Sequence, residues 1–178
     1  MKAFFIDRDG VINDDYIAYL REPADVRVYP YVAEAMKMIK EVGYEIFIVS
    51  NQSGIADGMI TPEELENVSR HIEKILQSQG APIPRKWYYC PHKMDSDCSC
   101  RKPKPGLLLQ AKEEFGVDIS QSFFIGDRIS DMECAAAAGC ARGVHVLSGY
   151  GMNVKDAVLP ENYLRAENLL EAVKLLLG

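Results

Sequence analysis

Short apolar runs recur along this chain, separated by longer stretches whose apolar residues fall at helical spacing. Ala3-Phe4-Phe5-Ile6 opens as a buried strand, two of its four apolar residues aromatic and one β-branched. Ile46-Phe47-Ile48-Val49, within 45–50, predicts a second strand, and Trp87-Tyr88-Tyr89 a third. Phe123-Phe124-Ile125 and Val144-His145-Val146-Leu147 complete a set of five. Between the first two runs, Val32, Ala35, Met36 and Ile39 trace one helix face, with Gly43 as a stop. Thr61-Pro62-Glu63-Glu64 combines a capping-box pair with proline at the first helical position, so a helix starts there. Leu65, Val68, Ile72, Ile75 and Leu76 form its apolar face. Leu107, Leu108, Ala111 and Phe115, closed by Gly116, predict another helix. The alanine-rich run 134–138 predicts a short one, and Leu169, Leu170, Val173 and Leu176 a last. Such alternation implies an α/β fold, a parallel sheet with helices on both faces. With no repeat, low-complexity tract or linker, residues 1–178 are expected to form one domain.

Composition narrows the function classes. A chain of 178 residues, 48% hydrophobic and 26% charged, suffices for a sizeable core. A net charge of −6 without a basic stripe argues against nucleic-acid or membrane partners. A small anionic substrate stays open, because a local cluster of cations overrides the average. Asp7, Arg8 and Asp9 come too early for the apolar part of a signal peptide, so a cytoplasmic protein is expected.

In a parallel sheet the ligand crevice lies at the carboxyl ends of the strands, and the conspicuous polar residues stand there. The first strand runs into Asp7-Arg8-Asp9-Gly10; two-residue spacing would put both carboxylates on one side. Like charges at the end of a buried strand are costly without a cation; a plain polar turn is the alternative. The second strand leads into Ser50-Asn51-Gln52-Ser53-Gly54, and the fourth into Gly126-Asp127-Arg128 with Asp131 one turn on. Arg101-Lys102-Pro103-Lys104-Pro105-Gly106 is a basic loop before a helix.

The cysteines form a second constellation. Cys90, His92, Cys98 and Cys100 lie within eleven positions, a spacing suited to a closed tetrahedral zinc site and also to free thiols. Cys134 and Cys140 read as small buried thiols, and His71 and His145 as a helix-surface and a strand-edge residue. Residues 14–28, polar and aromatic, look like a surface flap, of which 14–19 could cover a ligand.

Taken in order, Asp-x-Asp-Gly-Val, the Ser50-Asn51 strand end, Lys102 and Gly126-Asp127 resemble the four motifs of the haloacid dehalogenase superfamily of phosphohydrolases. The resemblance implies a three-layer Rossmann-like fold without a large cap domain. It also implies a magnesium-dependent hydrolase of phosphate esters. It assigns the nucleophile to Asp7 and acid–base work to Asp9. Asp7, the Asp9 backbone carbonyl and Asp127 would hold magnesium, with Asp131 in support. Lys102 and Ser50 would hold the phosphoryl oxygens beside Asn51, Gln52 and Ser53.

The Cys-x-His…Cys-x-Cys loop before Arg-Lys-Pro resembles one subgroup, the heptose bisphosphate and histidinol-phosphate phosphatases. There the zinc is structural. Ser50–Ala56 and Arg101–Gly106 look more like the heptose enzymes, which act on a 1,7-bisphosphate, while histidinol phosphate remains the alternative. Arg101 and Arg128 are the candidates for a distal phosphate. Asp57 departs from the arginine usual after Gly-Ile-Ala in that subgroup. The expected substrate is a small phosphorylated sugar or amino alcohol; a zinc-stabilised binding protein without turnover and a phosphotransferase are further alternatives.

Overall fold

The computed structural model describes residues 1–178. Its centre is a six-stranded parallel sheet in the order β3-β2-β1-β4-β5-β6. The strands are β1 (Ala3–Ile6), β2 (Glu45–Asn51), β3 (Lys86–Cys90), β4 (Phe123–Gly126), β5 (Arg142–Val146) and β6 (Leu164–Ala166). The order reverses direction at β1, so the crevice opens where β1 ends between β2 and β4.

Side-chain alternation decides which face each strand residue serves. Phe4, Ile6, Ile46, Ile48, Ile125, Val144 and Val146 pack on one face, against α1 (Val32–Glu41), α2 (Pro62–Ser78) and α5 (Leu169–Leu177). Ala3, Phe5, Phe47, Val49 and Phe124 pack on the other, against α3 (Gly106–Phe115) and α4 (Ile129–Ala138). Phe5 stacks on Phe47 at 5.7 Å and on Phe124 at 6.5 Å. All three rings are fully buried, so truncating one to alanine costs about 3–5 kcal/mol. At α2, Glu64 N–H donates to Thr61 Oγ1 (3.1 Å) and Thr61 N–H to Glu64 Oε2 (2.7 Å), the expected capping box. No helix is long and apolar enough to cross a membrane.

Several expectations change. A sixth strand, β6, has no apolar run to announce it; Leu-Arg-Ala is held by backbone pairing to β5. Helix α4 starts at Ile129, earlier than the alanine run. His145 is fully buried, not at an edge, because β6 covers β5. Cys134 is buried as expected, whereas Cys140 is only half-buried, just beyond the end of α4. The 14–28 segment is pinned where its two ends meet, by an Asn13–Val28 bridge, and at its middle by buried Leu20.

Candidate active site

Strand β1 stops at Ile6, and the chain turns sharply over Arg8–Asn13, with Ile12 N–H donating to the Arg8 carbonyl at 2.8 Å. The turn gives the two carboxylates different partners, although both open on one crevice as expected. Asp7 joins Asp127 and Asp131 in a buried trio whose ligand oxygens all lie within 4.8 Å of one another. The Asp9 carboxylate stands outside that trio. Arg8 grips it with a fork, Nε to Oδ1 at 3.0 Å and Nη2 to Oδ2 at 2.9 Å. Asn13 Nδ2 adds a bond to Oδ1 (3.0 Å) and Gln52 Nε2 one to Oδ2 (2.8 Å).

Lys102 is buried against two members of the trio. Its ammonium lies 3.0 Å from Asp7 Oδ1 and 2.7 Å from Asp131 Oδ1, and donates to the Val49 carbonyl at 2.8 Å. Asn51 positions this lysine: its Nδ2 donates to the Lys102 carbonyl and its Oδ1 accepts from the Lys102 N–H, both at 3.1 Å. Its amide is thereby engaged with backbone. Ser50 Oγ, buried at the end of β2, accepts from Gln52 Nε2 at 2.9 Å.

Asp127 is set from three sides. Tyr150 N–H donates to its Oδ2 at 2.7 Å, and buried His145 Nε2 meets its backbone carbonyl at 3.0 Å. Arg165 Nε donates to His145 Nδ1 at 3.3 Å, which makes Nε2 the protonated nitrogen. Gly10 and Gly149, both at positive φ, let the β1 and β5 loops close over this residue. A Cβ on either glycine would overlap Asp127 Oδ2.

Charge follows from this geometry. Burial first, then Asp131 and Asp9, push the Asp7 carboxyl from 3.8 up to about 7 despite Lys102. Burial and the neighbouring Asp7 and Asp131 push Asp127 up to about 8. Burial works against a charged Asp9, but the Arg8 fork together with the Asn13 and Gln52 bonds outweighs it and holds this carboxyl below its ordinary range. Lys102 is held charged in the same way, burial being outweighed by Asp131 and Asp7. A divalent cation fits the trio: Asp127 Oδ1 is buried without a hydrogen-bond partner, and hard cations take carboxylate oxygens.

The Cys/His loop hangs from the end of β3. Cys90 Sγ lies 3.8 Å from Cys98 Sγ, 3.2 Å from Cys100 Sγ and 3.5 Å from His92 Nδ1. His92 Nδ1 is 3.2 Å from Cys100 Sγ. A tetrahedron with Zn–S bonds of roughly 2.3 Å has edges of about 3.8 Å, so a zinc ion fits with shifts of a few tenths. Arg101 Nη1 donates to the His92 carbonyl (3.2 Å) and Lys104 Nζ to the Cys98 carbonyl (2.7 Å), tying the loop to the basic segment. Asp57 pairs with Lys93 of this loop at 3.4 Å.

These parts wall a cavity of about 540 Å³. Arg8, Arg101, Lys102, Lys104 and Arg128 line it, against only Asp7, Asp9 and Asp15. Ser50, Asn51, Gln52 and Ser53 form one wall; residues 17–20 of the flap and Met94 of the Cys/His loop form the rim. Arg128 pairs with Asp15 at 3.3 Å and lies over the Tyr150 ring at 4.5 Å. Sequence reasoning missed Arg8, Asn13, Asp15, Lys104 and Tyr150. Arg8 and Lys104 carried a signal in their positions inside the two motifs, and Asp15 in lying on the 14–19 flap.

Residues 1–139 match the model of the haloacid dehalogenase-like hydrolases. The chain belongs to this family. This hydrolase is 39% identical over 175 residues to a D-glycero-beta-D-manno-heptose-1,7-bisphosphate 7-phosphatase of Pseudomonas aeruginosa, covering 97% of this chain and 96% of that protein. A D-glycero-alpha-D-manno-heptose-1,7-bisphosphate 7-phosphatase of Photorhabdus laumondii is 32% identical, with 96% and 97% covered. Among solved structures, the D,D-heptose 1.7-bisphosphate phosphatase from B. bronchiseptica, complexed with magnesium and phosphate, superposes with a TM-score of 0.91 at 30% identity. The match covers 99% of this chain and 98% of that one.

Proposed function

We propose that this hydrolase removes the 7-phosphate of a D-glycero-D-manno-heptose 1,7-bisphosphate through an aspartyl-phosphate on Asp7, in the cytoplasm. The observation that carries the reading is the buried Asp7–Lys102 pair in a cavity with five cationic side chains against three carboxylates. That excess of positive charge, inside a chain of net −6, suits a substrate with two phosphates. A volume of about 540 Å³ suits a sugar of this size. The names of the full-length relatives support the same choice.

In this reading Asp7 attacks phosphorus; its oxygen–phosphorus bond forms as the ester P–O bond breaks, and Asp9, once it has taken up a proton from solvent, gives it to the sugar alkoxide. Water then attacks the acyl phosphate, passes a proton back to Asp9, and inorganic phosphate leaves. Lys102 and Ser50 hold the phosphoryl oxygens. Asp7, Asp127 and the Asp9 backbone carbonyl would hold magnesium, which supplies charge neutralisation for phosphoryl transfer. Asp131 supports them, since its oxygens already face Lys102 and the Arg128 N–H. Zinc at Cys90, His92, Cys98 and Cys100 shapes the loop that carries Arg101 and Lys102.

A comparison of kcat/KM on heptose 1,7-bisphosphate, histidinol phosphate and shorter monophosphates tests this. The bisphosphate should lead by at least about tenfold, and histidinol phosphate as the best substrate would overturn the assignment. Arg101→Ala should erase the contrast. A charged phosphate contact is worth roughly 1.5–3 kcal/mol, so the bisphosphate should lose about ten- to a hundred-fold more than a monophosphate. Equal losses would show that Arg101 serves only the loop, through His92.

The carboxylate trio also predicts a pH dependence. Asp7 and Asp127 have folded pKa values near 7 and 8, above their ordinary 3.8, so the folded state binds these protons more tightly. Stability of the metal-free protein should therefore fall as pH rises from about 4 to 8. Magnesium should raise Tm more at pH 8 than at pH 5, and Asp127→Asn should flatten both trends. A magnesium effect independent of pH would place the ion elsewhere.

A further inference from the structure

The motif's middle residue is the one buried charge to which the reading above gives no task. Arg8 is 1% exposed, and its fork fills one acceptor site on each oxygen of Asp9. Asn13, fully buried, fills a second site on Oδ1, and Gln52 a second on Oδ2. A carboxylate has about four lone-pair sites, so all of them are taken. Asp9 can exchange a proton only when one donor lets go.

The donors differ in how firmly they are held. Arg8 and Asn13 stand at either end of the sharp turn after β1, and Arg8 lies against Tyr89, whose hydroxyl bonds Ser69 of α2. Gln52 sits on the cavity wall and divides its amide between Asp9 and Ser50. A phosphoryl oxygen beside Ser50 that accepts from Gln52 Nε2 would compete with Asp9 for this amide and free one site on Asp9 Oδ2.

We propose that Arg8 is a positioning residue for the proton carrier: it fixes the Asp9 carboxylate, while Gln52 is the exchangeable donor that uncovers it. The inference rests on the phosphatase reading above. It predicts that Arg8 matters in proportion to how much the leaving group needs a proton. An aryl phosphate releases a phenolate that leaves unprotonated, whereas a sugar phosphate releases an alkoxide that does not.

The test is pre-steady-state cleavage of heptose 1,7-bisphosphate and p-nitrophenyl phosphate, with substrate in excess and magnesium present, by the full-length wild type, Arg8→Lys, Arg8→Met and Gln52→Leu. Both Arg8 variants should release the sugar about a hundred-fold more slowly and p-nitrophenolate within about threefold of wild type. With the aryl ester they should show a burst of one p-nitrophenolate per site, because Asp9 must also deprotonate the water. Gln52→Leu should slow both esters by the same factor. Equal losses on both esters in the Arg8 variants, without a burst, would overturn the proposal and leave Arg8 a prop of the turn. If neither Arg8 variant folds, Gln52→Leu decides: a leaving-group contrast there would make Gln52 the positioning residue, and parallel losses would uphold Arg8. A wild type that cleaves neither ester would instead overturn the phosphatase reading itself, before any variant is compared.

Discussion

Replacing Asp7 with asparagine should lower kcat by about four orders of magnitude or more while leaving the fold intact. Loss of a covalent nucleophile removes the reaction path rather than one contact along it, so the effect far exceeds that of a single hydrogen bond. The fold should survive because the substitution keeps the shape and Lys102 retains Asp131 at 2.7 Å. It also removes a carboxylate that burial and its neighbours already push up to about 7. The metal-free variant at pH 8 should accordingly melt no lower than wild type. A kcat within tenfold of wild type, measured on the bisphosphate with saturating magnesium, would contradict the assignment of Asp7.

The layered fold was legible because its signals are local. Phe4-Phe5-Ile6 and Ile46–Val49 are fully buried runs, and the Thr61–Glu64 capping box forms as written. The ring of polar residues at the strand ends was legible too, since parallel sheets gather their loops at one edge. What escaped was everything that depends on where a turn sends a side chain. Extended geometry put Asp7 and Asp9 on one side, and both do line the cavity, but the turn after Ile6 hands Asp9 to Arg8, which the spacing did not foretell. Asp127 is held by the Tyr150 N–H, a backbone donor that any residue there could supply. Strand β6 and the burial of His145 have the same cause, long-range pairing between Val144–Val146 and Leu164–Ala166 that no local pattern encodes.

Removing zinc should be the second largest effect. Purified protein should carry about one zinc per chain, and Cys100→Ala or chelation should lower Tm on the order of 10 °C, since metal binding here is coupled to local folding. Activity should fall about a hundred-fold in parallel. The loop is roped to the basic segment through Arg101–His92 and Lys104–Cys98, and Lys102 sits between those two ropes. Loosening the loop therefore displaces the ammonium from Asp7 by more than the fraction of an ångström that phosphoryl transfer tolerates. Readdition of zinc, with magnesium constant, should restore both. A zinc-free preparation with full magnesium-dependent turnover would show that the four ligands do not shape the site.

A covalent aspartyl-phosphate on Asp7 can be trapped directly. Rapid quenching of the enzyme during turnover of heptose 1,7-bisphosphate with magnesium, followed by borohydride, reduces an acyl phosphate to the alcohol. Peptide mass spectrometry then locates the reduced side chain. Reduction should occur at Asp7 alone, and only when substrate and magnesium are both present. Unmodified Asp7 under turnover, or reduction at Asp9, Asp127 or Asp131 instead, would contradict it.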